Sequence, residues 1–400
     1  MSERKSLVGL DASRAVSAAP TGTEAYSFHL LQRLVPLLRE ESRVRLYLRE
    51  SPEALLAESV ASLTGAAPLT EVAALTRVAP LVEGAEVRVI PFPRMWTHVR
   101  LSWEMMTRPP DLLFVPAHVL PLIGPRRTLV TVHDLGYRFF PEAHPLRQRL
   151  YLELSTRWSA WKASHVLADS VATRDALMRA YGTPPEKISV VYPGYDPDLH
   201  PETDQGRLRE VRQRYGLPMT GGYILFIGRI QPRKNLVRLI EAFGRIAAAD
   251  LDVHLVLAGP TGWLSEPITE AVADLGLGSR VSFPGFVEAE DKAALISGAR
   301  VFAYPSLYEG FGFPVLEAQA CGTPLLTSTT SSLPEVAGDG GLLVDPEDTD
   351  AIAAGLRRLL EDEALRERLT ALGFENLKRF SWQRAAQQVH ALIEGLLHGR

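Results

Sequence analysis

The chain has 400 residues, more than one hydrophobic core usually serves, so two domains are expected. A hydrophobic content of 46%, a charged content of 22% and a net charge of −4 are ordinary for a soluble globular protein and argue against a nucleic-acid binder. The single cysteine, Cys321, excludes an intramolecular disulfide and any multi-cysteine zinc site, and fits a reducing cytosol.

The opening MSERKSLVGLDAS does not read as a secretion signal. No apolar run approaches the roughly 20 residues that span a bilayer, so contact with a membrane would be peripheral. Residues 6–13, 43–50, 111–117, 128–137, 163–170 and 187–194 then read as strands. They are apolar throughout rather than alternating, as in a parallel sheet covered on both faces. Helical patterns separate them, among them 24–38, with Thr23 as N-cap.

The stretch 194–222 is rich in proline, glycine and charge and reads as a linker. The strand pattern restarts at 222–229 and continues at 252–260, 280–287, 299–306, 323–328 and 340–346. Two βα sets imply two Rossmann-like domains, at 1–197 and 198–382. The tail 380–400 is helical in pattern, with Val389, Leu392, Leu396 and Leu397 on its apolar positions. It either stays with the second domain or returns, from about residue 383, to the first.

Neither set carries G-x-G-x-x-G after its first strand, and no G-x-x-x-x-G-K-[ST] occurs, so dehydrogenase and P-loop ATPase readings lose their best evidence. In FIGRIQPRKN, Arg229 and Lys234 follow a strand, at the edge where open α/β sheets bind ligands. Two cations there suit a diphosphate, against the plainer reading of surface charge near a helix start. In YEGFGFPVLEAQACG, Glu309 lies in a loop and Glu317 within a helix begun by Pro314 and ended by Gly322. The amides of Phe311, Gly312 and Phe313 would point at a phosphate. One carboxylate could hold sugar hydroxyls and the other a ribose diol. A helix-start acid plus a surface acid is the alternative.

These residues resemble retaining, nucleotide-sugar-dependent glycosyltransferases of the GT-B fold, the glycosyl transferases group 1 family with its Glu-x7-Glu motif. The likeness runs in register over about 220–385, through GRIQPRKN, the long segment from GFVEAEDKAAL to GGLLVDPED, and FSW. It is looser over the first half, through GTEAY, TVHDLGYRFFPE, SVATRDAL and KISVVYPGYD. Mannosyltransferase-like members are the most similar.

The resemblance implies an α/β protein whose two Rossmann-like domains, with parallel sheets, face a cleft, the first binding acceptor and the second the nucleotide sugar. It implies that Arg229 and Lys234 hold the donor pyrophosphate, Glu309 the sugar hydroxyls and Glu317 the ribose. Phe311, Gly312 and Phe313 would reach phosphate and sugar, and Phe286 and Val287 would line the base. Gly22 matches the family's glycine loop over the diphosphate, although one glycine stands where two are common. His133 matches the histidine beside the donor sugar, whereas its surroundings in sequence suit a hydrogen-bonded turn residue. Ser170 reads locally as a helix N-cap.

Fixed cations can stabilise the leaving phosphate, so no cofactor and no metal is expected. The Asp-x-Asp patterns at 196–198 and 250–252 are not placed to hold one. The expected donor is a GDP- or UDP-linked hexose, with GDP-mannose favoured, and the acceptor a glycan, a lipid-linked sugar or a small molecule. The segment 93–110 mixes Arg94, Arg100 and Arg108 with Trp96, Trp103, Met105 and Met106, and 137–162 is also basic and aromatic. They suit either an anionic membrane at the inner face or a core-facing helix. A catalytically silent sugar-nucleotide sensor or assembly subunit, and a same-fold epimerase or hydrolase, are the competing functions.

Overall fold

A computed structural model describes residues 5–16, 22–50, 81–92, 95–247 and 252–399. The chain forms two compact units.

The first unit takes Met1–Leu135, Arg147–Gly194 and Ser381–Arg400. Its strands are β1 (Leu7–Asp11), β2 (Arg43–Leu48), β3 (Glu86–Val89), β4 (Leu112–Val115), β5 (Arg127–Val132), β6 (His165–Ala168) and β7 (Ile188–Val190). All pair in parallel in the order β3-β2-β1-β4-β5-β6-β7. The order reverses between β1 and β4, the switch point where such sheets bind ligands at their carboxyl ends. Every residue of β4 is buried, which is why its sequence lacks alternation. The short, half-exposed edge strand β3 has the sequence EVRV; without an apolar run it left no strand signal.

Helix α1 (Gly22–Glu41) starts at Gly22, so the expected cap Thr23 lies inside its first turn. The glycine loop is thus the beginning of a helix from Gly22 onward, and the residues just before it lie outside the described ones. Trp96 precedes a π-helical turn (Thr97–Leu101) and helix α2 (Ser102–Thr107). Next come α3 (Leu146–Lys162) and α4 (Val171–Tyr181). Ser170 caps α4 by accepting a hydrogen bond from the Thr173 amide at 3.0 Å.

The second unit takes Gly136–Leu146 and Tyr195–Phe380. Strands β8 (Gly222–Ile227), β9 (Val253–Ala258), β10 (Val281–Gly285), β11 (Val301–Tyr304), β12 (Leu325–Ser328) and β13 (Leu342–Val344) form a parallel sheet ordered β10-β9-β8-β11-β12-β13. Its switch point lies between β8 and β11. The expected domain bounds and the expected linker at 194–222 each need one correction. Residues 136–146 join the second unit, where Phe139 stacks on Tyr308 at 5.4 Å and His144 meets Trp263 at 5.9 Å. The expected linker contains helix α5 (Gln205–Arg214), which is tied down as part of that unit. Arg207, Arg214 and Tyr215 converge on the fully buried Asp291 of a later helix, Tyr215 Oη donating at 2.9 Å.

The helices that position the second unit's site are α6 (Leu236–Ala247), α7 (Ala289–Ser297) and α8 (Phe313–Ala320). The last helix, α9 (Trp382–His398), packs on α1 of the first unit. Trp382 stacks on His29 at 5.3 Å and meets Tyr26 edge-on at 5.7 Å. Gly194 makes room for this return, because a Cβ there would lie 2.5 Å from the Trp382 backbone nitrogen.

Candidate active site

The switch point of the second sheet brings the ends of β8 and β11 side by side. After β8 the chain turns through a 3-10 turn (Pro232–Lys234). Asn235 closes this turn in the left-handed region, with φ of 61°. Its side-chain Nδ2 donates to the Pro305 and Pro346 carbonyls at 3.1 and 2.6 Å, fixing the turn against the β11 exit. The neighbouring Lys234 is thereby aimed at the loop that follows β11.

There the Lys234 ammonium donates to Glu309 Oε1 at 2.6 Å and to Tyr304 Oη at 2.5 Å. Tyr304 Oη in turn donates to Glu309 Oε1 at 3.1 Å. Arg233 donates to Glu309 Oε2 at 3.1 Å and to the Tyr308 carbonyl. Burial by itself would raise the Glu309 carboxyl, but Arg233 and Lys234 outweigh it and hold the group below the ordinary carboxylate range. Glu309 is therefore a fixed anion, only 7% exposed.

The two cations expected together do different things. Arg229 is exposed at the end of β8 and has no ion-pair partner among the described residues. Lys234 is 7% exposed and committed to Glu309. The sequence reading missed Arg233 and Tyr304. Arg233 was visible inside QPRKN, and Tyr304 was an aromatic at a strand end.

Beyond Glu309, Ser332 Oγ donates to the carbonyls of Glu309 and Phe311 at 3.0 and 2.7 Å. Gly312 caps α8 with φ of 106°, where a Cβ would meet Leu333 at 2.9 Å. Phe311 is buried, while Phe313 opens the helix and is half-buried. Glu317 lies in α8 as expected, and its Oε1 accepts from Lys292 of α7 at 2.5 Å. Phe286 and Val287 follow β10, the Phe286 ring exposed and Val287 half-buried.

In the first unit, His133 follows β5 with both ring nitrogens engaged. Nδ1 lies 2.6 Å from Asp169 Oδ2, and Nε2 donates to the Pro116 carbonyl at 3.0 Å. Burial opposes its charging, but the Asp169 carboxylate outweighs burial and raises the His133 pKa. The ring is thus a held donor rather than an idle base, and Tyr26 packs edge-on against it at 4.7 Å. His118 Nε2 donates to the Asp134 carbonyl at 3.1 Å. Burial, reinforced by His133, pushes its pKa down to about 4. Asp169 was also missed, although it ends the strand beside the one that carries His133. Gly22 begins α1 and is exposed.

Of the proposed membrane contacts, Trp96 is buried, its indole donating to the Ile90 carbonyl at 2.7 Å. It belongs to the core with Leu113, Val130 and Val166. Met105 is buried too, and Arg100 pairs with the buried Glu104 at 3.5 Å. Trp103 and Met106 are exposed, and Arg94 lies outside the described residues. The described residues hold no cluster of three or more histidine, cysteine or acidic ligands, and no helix long and apolar enough to cross a membrane.

The family described as glycosyl transferases group 1 matches residues 209–375, and that described as Glycosyltransferase Family 4 matches 21–199. The chain is 36% identical to O-antigen chain mannosyltransferase B of Escherichia coli over 66% of its own length and 68% of the relative's. It is 33% identical to a D-inositol 3-phosphate glycosyltransferase of Corynebacterium glutamicum, spanning 54% of this chain and about half, 53%, of that protein. In structure it is similar to Anabaena HepE in complex with UDP and glucose, with a TM-score of 0.69 and 20% identity over 98% of this chain and all of that one. This last likeness bears on the fold alone: two Rossmann-like units.

Proposed function

The chain belongs to the glycosyl transferases group 1 family, with the GT-B fold, and from that premise we propose that it moves a hexose from a nucleoside diphosphate sugar to an acceptor with retention of configuration. The observation that carries this reading is the β8–β11 switch point. Arg229, exposed just past the end of β8 and without an ion-pair partner among the described residues, and Glu309, an anion in the loop after β11 that Arg233 and Lys234 hold in place, both lie at the strand ends of this sheet. Arg229 and the amides before α8 take the diphosphate, Glu309 the sugar hydroxyls and Glu317 the ribose diol. The acceptor oxygen forms its bond to the anomeric carbon on the face from which the phosphate leaves. The bond from that carbon to the phosphate oxygen breaks, and the acceptor proton passes to the departing phosphate. Arg229 stabilises the charge that develops on it, so no metal is required.

A relative named a mannosyltransferase favours mannose from GDP-mannose, whereas the similarity to a protein crystallised with UDP keeps uridine donors in the panel. The acceptor is a glycan, a lipid-linked sugar or a small molecule. A lipid-linked one is favoured by the outer face of α3. Leu146, Leu150, Leu154 and Trp161 are exposed there among Arg147, Arg149 and Arg157, and Trp103 and Met106 of α2 are exposed as well. An apolar stripe flanked by cations suits an anionic membrane surface.

The test is a thermal-shift panel of UDP, GDP, ADP and their sugars, with and without EDTA, followed by NMR of the product's anomeric carbon. A shift with one nucleotide, unchanged by EDTA, and a product of retained configuration are expected. An inverted product overturns the same-face mechanism, and a shift that EDTA abolishes overturns metal independence. No shift with any nucleotide favours an assembly subunit.

A further inference from the structure

The ion pair between Lys292 and Glu317 is a feature that neither residue's sequence context signals. It joins two helices across 25 residues at 2.5 Å. The partners are 24% and 13% exposed, so the pair is sheltered without being sealed. Lys292 follows directly on Asp291, the buried carboxylate that Arg207, Arg214 and Tyr215 of the preceding segment clamp. That clamp fixes the rotation of α7 about its axis, and hence the direction in which Lys292 leaves it.

We infer that Lys292 is a positioning residue that holds the Glu317 carboxylate for the ribose of the donor nucleotide, an inference that rests on the reading of Glu317 as the ribose-binding group. A carboxylate has about four lone-pair sites, and one ammonium occupies one of them. The remaining sites suffice for the two hydroxyls of a diol. A glutamate free to rotate would lose side-chain entropy on binding, and the ion pair imposes that order beforehand. The lysine also offsets a negative charge that would otherwise stand near a diphosphate.

The experiment is titration calorimetry of GDP, UDP and their 2′-deoxy and 3′-deoxy counterparts against the full chain and its K292M, K292R and E317Q variants. The wild type is expected to prefer the ribonucleotide over the deoxynucleotides by about tenfold or more, as befits hydrogen bonds to a charged group. E317Q should lose most of that preference. K292M should bind the ribonucleotide about tenfold more weakly and the deoxynucleotides nearly unchanged, so the preference collapses, while K292R keeps it. The ratio within one variant does not depend on its folded fraction, so lost stability cannot imitate this result. If K292M binds neither form, K292R decides: preference kept supports the inference, and preference lost overturns it.

Two failures are distinguishable. A wild type that binds no nucleotide, or binds without regard to the diol, overturns the ribose reading and the inference with it. A wild type whose preference depends on Glu317 but survives in K292M overturns the role of Lys292 alone. Tighter ribonucleotide binding by K292M would make the lysine a competitor and overturns it equally.

Discussion

Lys234 and Glu309 lie 75 residues apart and meet at 2.6 Å, both buried, with Tyr304 bridging them. The lysine that the motif offers to a phosphate thus joins Arg233 in supporting the neighbouring carboxylate, whereas Arg229, the third cation of GRIQPRKN, has no ion-pair partner among the described residues.

Separate effects of Lys234 and Arg229 follow. Lys234→Met leaves a buried anion with less compensation and should cost about 3 kcal/mol of stability in urea denaturation. Arg229→Ala should change stability by no more than about 0.5 kcal/mol. By calorimetry it should weaken nucleoside diphosphate binding at least about tenfold. Equal destabilisation by both changes would refute that separation.

The buried pair should also be coupled. Glu309→Gln and Lys234→Met each remove one partner, whereas the double variant removes the mismatch. The double loss should fall short of the sum of the single losses by about 1–3 kcal/mol. Strict additivity would mean that the two side chains do not depend on each other.

The first unit should show an acid-side weakness that traces to His118. Its folded pKa of about 4 lies below the ordinary 6.5, so between these values the unfolded chain binds the additional proton. Stability from this group is therefore present above pH 6.5 and lost as pH falls toward 4. His133 has the opposite sign: with its pKa raised, its contribution is full below pH 6.5 and lost as pH climbs through the raised value. His118→Gln should lower the drop in melting temperature between pH 7 and pH 5 by about 2–4 °C. An unchanged pH profile would remove His118 as the cause.

Gly194→Ala should loosen the return of the last helix. The added methyl would meet the Trp382 backbone at 2.5 Å, and backbone cannot swing aside. A loss of about 1–3 kcal/mol and a changed tryptophan emission are expected. Unaltered stability and emission would show that α9 tolerates displacement at its start.

For the membrane surface, the informative positions are on α3. Leu150→Glu with Leu154→Glu should reduce co-sedimentation with anionic vesicles severalfold while leaving the melting temperature within about 2 °C, because both side chains are exposed. Wild-type protein that ignores such vesicles refutes the proposal. Trp96→Ala would report on the core instead, since that ring is buried and hydrogen-bonded.

Much of this architecture was legible in the residues alone. The two βα sets, the strand exits before Arg229 and before the Glu309 loop, the helix holding Glu317 and the Ser170 cap are all encoded locally. Apolar runs, a proline or serine at a helix start and a glycine at its end act over a few residues. The edge strand β3 escaped because its half-exposed sequence carries no such run.

Tertiary structure decided the rest. That Lys234 meets Glu309, that Asp169 pairs with His133 and that Lys292 reaches Glu317 depend on which strand ends and crossover helices become neighbours, and the return of α9 depends on its packing against α1. Parallel strand order sets those adjacencies through long crossovers, so the partners lie tens to hundreds of residues apart. Trp96 makes the same point for a surface: its basic, aromatic segment suited a membrane, and only the packing of the core under β4 and β5 determined that the ring points inward. Local pattern sets what an element is and where it stops; burial and pairing across the sheet set what each side chain is for.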